Sequence, residues 1–193
     1  MVRTASTMLA LGTSAPDFRL RNVDGRTLGL DDFAQAPALV VAFLSNHCPF
    51  VKHVQAGFVA LAREYRSRGV DVVAIASNDI ESHPEDGPEP MKHEAARAGY
   101  DFPYLFDPTQ AVAQSYRAAC TPDFYVFNSA RKLAYRGQMD GARPGNDVPV
   151  TGADLRAALD ALLSGRPVNS AQRPSLGCNI KWRAGNEPDY FTR

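Results

Sequence analysis

The stretch Ala38-Leu39-Val40-Val41-Ala42-Phe43-Leu44-Ser45-Asn46-His47-Cys48-Pro49 decides the fold. From Ala38 to Leu44 the chain is continuously apolar, with β-branched Val40 and Val41 at its centre. Such a run predicts a strand covered on both faces of a parallel or mixed sheet, and it is far too short to cross a bilayer. The polar turn Ser45 to Cys48 ends it. Beyond Pro49 the residues Val51, Val54, Phe58, Leu61, Ala62 and Tyr65 recur at helical spacing until Gly69, and Val70 to Ala76 is apolar again. Strand, turn, helix and strand thus form one crossover, right-handed by the general rule. That places the turn at the carboxyl end of the sheet, where chemistry gathers in open α/β folds.

Outward from this unit, Asn22-Val23-Asp24-Gly25-Arg26 sets Asp-Gly between extended flanks and predicts an N-terminal hairpin. On the other side, Ser77 to Pro90 is polar and interrupted by prolines, and reads as a long surface loop. A polar helix from about Met91 to Ala98 follows, closed by Gly99. Pro103 to Phe106 reads as a short strand and Gln110 to Tyr116 as a short helix. Cys120 to Phe127 reads as a strand entered through Pro122, and Ser129-Ala130-Arg131 turns it back into Leu133 to Gly137. Thr151-Gly152-Ala153-Asp154 resembles a capping box for a helix carrying Leu155, Leu159, Leu162 and Leu163 until Gly165. The order β, α, β, α, β, β, α is the thioredoxin arrangement. The expected fold is therefore α/β and thioredoxin-like: a central mixed β-sheet flanked by helices, with the N-terminal hairpin in front. Residues 166–193 are rich in Pro, Gly and Asn yet hold Cys178, Ile180, Trp182, Tyr190 and Phe191, so they are expected to form an ordered tail packed on a single domain spanning 1–193.

Twenty-one Lys and Arg balance twenty-one Asp and Glu among the 193 residues, leaving no net charge. No long-range field favours nucleic acid or an anionic membrane, so neither is an expected partner. Only Arg3 precedes the small apolar patch Met8 to Leu11, which is shorter than the hydrophobic region of a secretory signal, and the expected location is the cytoplasm. Three widely spaced cysteines do not make a disulfide scaffold.

Cys48 stands where the helix begins, with Pro49 in the first-turn position that suits a residue lacking an N–H. Its sulfur would face unpaired amides and the positive end of the helix dipole, both of which favour a thiolate. His47 and Lys52 add positive charge nearby. A free thiol of pKa about 8.5 is only a few per cent ionised at neutral pH, whereas one at about 6 is mostly nucleophile. The competing reading is an inert buried cysteine, but Asn46 and His47 argue for an exposed turn. Cys120 precedes Thr121-Pro122, an X-Pro bond that is a candidate cis peptide beside the nucleophile; Cys120 itself reads equally as a core thiol or a redox group. Cys178, in the tail, reads either as a packed residue or as a mobile second thiol able to attack an oxidised Cys48. Arg136 and Arg143 could stabilise a thiolate or a peroxide oxygen, although arginines at strand edges are more often solvated. Trp182 reads as a tail anchor. His53, His83 and His93 show no ligand spacing with the cysteines, so no metal is expected, and no feature points to a cofactor.

Four segments together carry a resemblance: Asn46-His47-Cys48-Pro49-Phe50-Val51-Lys52-His53, Cys120-Thr121-Pro122-Asp123-Phe124, Tyr135-Arg136-Gly137-Gln138 with Arg143-Pro144-Gly145, and Pro174-Ser175-Leu176-Gly177-Cys178-Asn179-Ile180-Lys181-Trp182. From about Gly12 to Phe191 the chain resembles a bacterial subfamily of thioredoxin-like proteins in the alkyl hydroperoxide reductase and thiol-specific antioxidant (redoxin) superfamily. The resemblance implies a redox cysteine at the strand-to-helix turn, with Pro49 behind it and a substrate loop of Thr121 and Pro122 opposite. Val51 stands where thioredoxins carry their second cysteine, and Ser45 stands where many relatives carry one. Ser45-x-x-Cys48 is similar to the Thr-x-x-Cys of peroxiredoxins, whose hydroxyl can hydrogen-bond a peroxide. The expected activity is that of a peroxiredoxin-like thiol oxidoreductase. Cys48 would attack a hydroperoxide and become a sulfenic acid; Cys120, Cys178 or an external thiol would resolve it; Ser45, His47 and Arg143 would orient and stabilise charge. The expected partners are a small hydroperoxide or a protein disulfide, and an external reductant such as thioredoxin, with a homodimer allowed. The alternatives are thiol–disulfide exchange on protein substrates and a non-catalytic binding module on the same fold.

Overall fold

The computed structural model describes residues 3–191. In chain order its elements are β1 (Arg3–Ala5), β2 (Arg19–Asn22), β3 (Thr27–Gly29), β4 (Ala38–Phe43), α1 (Pro49–Arg66), β5 (Asp71–Ala76), α2 (Pro88–Ala98), β6 (Tyr104–Phe106), α3 (Ala111–Ser115), β7 (Cys120–Thr121), β8 (Asp123–Asn128), β9 (Leu133–Gly137), α4 (Ala153–Leu163) and β10 (Leu176–Asn179). A seven-stranded mixed sheet runs β3-β2-β6-β5-β4-β8-β9, with β4 parallel to β5 and antiparallel to β8. All six residues of β4 are buried, which is what a strand with neighbours on both edges and helices on both faces requires. Val40 and Ala42 join the core under Val54, Phe58 and Leu61 of α1 and Leu155 and Leu159 of α4. Leu39, Val41 and Phe43 point the other way, into a second core with Phe18, Phe33, Tyr116 and Ile180. The period-2 alternation thus splits one apolar run between two layers. The expected hairpin forms from β2 and β3, with Gly25 at φ +90°.

Three local expectations are corrected. Helix α2 begins at Pro88, not Met91, with proline in the first turn where its missing N–H costs nothing. The segment before it is not a simple surface loop, because Ser77, Asn78, Asp79 and Asp86 are buried. The capping box at Thr151 does not form: the N-cap is Gly152 at φ +70°, and the Asp140 carboxylate accepts the N–H groups of Thr151 and Gly152 at 2.8 and 2.6 Å.

The strand expected from Cys120 to Phe127 is in fact two. The Thr121–Pro122 bond is cis. On one side of it β8 continues in the main sheet, and on the other β7 enters a second sheet of order β1-β10-β7. That small sheet joins the first strand, the last strand and the proline loop. Its registers pair Cys178 with Arg3 on one edge and with Thr121 on the other.

Candidate active site

Cys48 is the N-cap of α1, with Pro49 at the first helical position. The turn is not exposed as expected: Cys48 is 0% accessible, covered by β10. Nor does Cys178 lie in a loose tail. It is held in the centre of the small sheet at 3% exposure, with its thiol hydrogen-bonded to the Cys48 sulfur. The sequence could not announce this, since strand pairing between distant segments leaves no local pattern.

The contact with Cys178 is the largest cause lowering the Cys48 pKa, to about 6, against the opposing effect of burial. The Thr121 hydroxyl and the Val51 and Cys178 amides also favour the thiolate. Of these, the Val51 amide is the helix-start contribution foreseen from Pro49. The Thr121 hydroxyl is buried beside the sulfur without a hydrogen-bond partner among the described residues, so it favours the thiolate as a nearby dipole and not through a formed bond. The Thr121 carbonyl, 3.1 Å from the sulfur, accepts from the thiol form. The Cys178 thiol is correspondingly pushed up, first by its bond to Cys48 and then by burial. The pair therefore keeps one proton between its two sulfurs across the neutral range, on the Cys178 side.

The turn ahead of Cys48 is organised by Asp86, a residue that sequence reasoning passed over. Its fully buried carboxylate accepts from the Asn46 amide at 2.5 Å, the Asn78 side-chain amide at 2.6 Å, the Ser45 hydroxyl at 3.1 Å and His47 Nδ1 at 2.8 Å. Burial opposes its ionisation, but the bonds from His47 and Asn78 outweigh it and Asp86 stays below its ordinary range. The same bond raises the pKa of His47, whose ring stacks on His83 at 4.7 Å. Asn78 also accepts from the Lys181 amide at 2.8 Å, so one short chain of bonds ties the Cys48 turn to the segment after β10. Asp79 of the same loop is buried too but bonds its own segment at Glu81 and Ser82, so what distinguishes Asp86 is its reach to the Cys48 turn, which has no local signature in the sequence.

The other candidates stand further from the sulfur pair. Ser45 is buried with its hydroxyl on Asp86 and His47 rather than presented to a substrate. Arg143 bonds the carbonyls of Asp140 and Ala142 and the Gln138 side chain at 2.6–2.7 Å, and its charge reaches Cys120. Arg136 is held by Leu9 and Gln172. Lys52 is paired with Glu94. Cys120 is fully buried, its sulfur 3.8 Å from the Pro122 carbonyl, and burial with the charge of Asp123 pushes its thiol far up. Trp182 packs on the second core against Tyr190.

A family model described as the AhpC/TSA family matches residues 11–136. The crystal structure of an uncharacterized conserved protein from Geobacillus kaustophilus is 56% identical, with a TM-score of 0.93 over 95% of this chain and 97% of that one. A thiol:disulfide interchange protein of the thioredoxin family from Chlorobium tepidum is 19% identical, with a TM-score of 0.60 over 80% of this chain and 98% of that one, and so shares the fold. The chloroplastic peroxiredoxin Q of Oryza sativa subsp. japonica is 30% identical over 74 residues, 38% of this chain and 34% of that protein. The chain spans between about a third and a half of the length of the curated relatives it matches. The expected thioredoxin-like α/β fold and the redoxin resemblance are both borne out.

Proposed function

The chain belongs to the AhpC/TSA family of thiol oxidoreductases, and we propose that it is a peroxidase that reduces a small hydroperoxide with Cys48 as nucleophile and Cys178 as resolving thiol. The observation that carries this reading is the hydrogen bond between the two sulfurs beneath β10. One contact supplies a thiolate at neutral pH and sets a second thiol beside it.

In the first step the Cys48 thiolate attacks the terminal oxygen of ROOH. An S–O bond forms, the O–O bond breaks, and the alkoxide leaves as ROH after taking a proton from solvent. In the second, the Cys178 sulfur attacks the sulfenic acid, the S–O bond breaks, and the departing hydroxide takes the Cys178 proton as water. Cys48 and Cys178 end as a disulfide, two electrons poorer. An external dithiol such as thioredoxin would return them. Burial favours a peroxide over a protein disulfide as oxidant, because both sulfurs are 3% exposed or less, and hydrogen peroxide is little larger than water.

The test is one equivalent of hydrogen peroxide on the reduced protein, followed by mass mapping of wild type, Cys48→Ser, Cys120→Ser and Cys178→Ser. A Cys48–Cys178 disulfide is expected in the wild type, and a trappable sulfenic acid at Cys48 in Cys178→Ser. Slow, indiscriminate oxidation of all three thiols would remove the peroxidase reading. Fast reduction of insulin-type disulfides without peroxide reactivity would replace it with thiol–disulfide exchange.

A further inference from the structure

The strand that carries Cys178 also seals the site, and it is fastened at many points. Upstream, Ser175 and Ser6 bond reciprocally: the Ser6 N–H donates to the Ser175 carbonyl at 3.0 Å, and the Ser175 N–H to the Ser6 hydroxyl at 2.9 Å. The Ser175 hydroxyl donates to the Gly137 carbonyl at 2.8 Å, and the Gln138 N–H to the Arg173 carbonyl at 3.1 Å. Downstream, the Ile180 N–H donates to Ala119 at 3.0 Å, and the Lys181 carbonyl accepts from the Asp79 amide and the Gln110 side chain, each at 2.8 Å. At the centre Gly177 lies so close to β7 that a Cβ there would stand 2.0 Å from the Thr121 oxygen. Residues 173–181 are a strap.

Hydrogen peroxide can reach a sulfur through a gap of molecular size. A thiol that cleaves a disulfide has no such latitude, for it must approach in line with the S–S bond and bring its own carbon chain. We propose that the strap gates the reductive half of the cycle alone: the Cys48–Cys178 disulfide forms with residues 173–181 docked, and its reduction waits for their flanks to lift. The gate rests on the pairing of Cys48 with Cys178 proposed above. The disulfide tethers Cys178 itself, so what lifts is 173–177 on one side and 179–181 on the other. An incoming dithiol then attacks the Cys178 sulfur. An S–S bond to the reductant forms, the Cys48–Cys178 bond breaks, and Cys48 leaves as the thiolate, which the Val51 amide at the helix start still favours. The reductant's second thiol displaces Cys178, which takes up the released proton, and the reductant departs as its own disulfide carrying the two-electron oxidation.

The experiment prepares the disulfide in the full-length protein by prolonged incubation with diamide, which needs no peroxide chemistry and enters whenever the strap opens, and follows its reduction by dithiothreitol at rising concentration. The expected rate constant levels off at a ceiling set by undocking. Ser175→Ala removes the strap's hydroxyl bond to Gly137 without touching either sulfur and is expected to raise that ceiling about fivefold, while oxidation by peroxide stays within about twofold. Gln172→Ala, which frees the base of the strap from Arg136 and Ala134, is a milder variant expected to move the ceiling the same way. A rate linear in dithiothreitol throughout and equal in all three proteins overturns the gate, as does a diamide-formed disulfide that joins other cysteines in place of Cys48 and Cys178. A ceiling that persists in a protein inert to peroxide overturns the peroxidase reading and leaves the gate standing.

Discussion

At the level of single residues, the reactive sulfur owes its state more to a partner than to its helix. Cys178→Ala removes the principal donor to Cys48, and the thiolate absorbance at 240 nm is expected to titrate at least about one pH unit above the wild-type midpoint of about 6. Cys178→Ser keeps a donor and should hold the midpoint low. Peroxide reactivity of the wild type should accordingly rise with pH through about 6 and level off above it, because the thiolate is the reacting form. The helix-start half of this arrangement was legible in Cys48-Pro49, since an N-cap and a first-turn proline are neighbours in sequence. The Cys178 half was visible only as a cysteine in a tail. Asp86 was not legible at all: Glu85 beside it is exposed and equally acidic. Replacing Asp86 with Ala strands buried donors from Asn46, Asn78 and Ser45 and should cost about 1–3 kcal/mol. The His47 pKa should fall once its carboxylate partner is gone, which a proton NMR titration of the imidazole would register.

Among the elements, β10 bears the most consequence for its four residues. Gly177→Ala would drive a methyl group into the Thr121 carbonyl, so the strand should not seat. The expected outcome is a folded main sheet in which Cys48 alkylates readily and its thiol titrates near the ordinary value, measured by iodoacetamide labelling against pH. An alkylation rate equal to wild type would show that the strand seats regardless. The elements of the main sheet were readable because each carries its own period: continuous apolarity in β4, helical spacing in α1, Asp-Gly between β2 and β3. The split of β7 from β8 was not, because a strand interrupted by a cis proline and one entered through proline have the same composition. Helix α2 starts ahead of its apolar spacing because Pro88 serves as a helix start, a role that composition does not separate from loop punctuation.

Over the whole molecule, the buried carboxyl of Asp123 links stability to pH. Burial raises its pKa from 3.8 to about 7, against the opposing bonds from Ser6 and Tyr125. Below about pH 4 it is protonated whether the chain is folded or not. Between about 4 and 7 the unfolded chain releases the proton and the folded chain retains it, so the stability it contributes is lost as pH rises through that window. Denaturant unfolding at pH 5 and pH 7 should show this loss in the wild type, on the order of a few kcal/mol at most, and a flatter profile in Asp123→Asn. Equal pH dependence in the two proteins would exclude Asp123 as its source. Ser6 joins this carboxyl to Ser175 at a sequence separation of 169, and that separation has a kinetic meaning. Closing so long a loop is slow relative to forming the β4–α1–β5 crossover, so during refolding Cys48 should spend its early life as an ordinary, unactivated thiol. The reactive centre is then expected to switch on as β10 docks, a late rise in thiolate absorbance at 240 nm during refolding that would lag the formation of the main sheet.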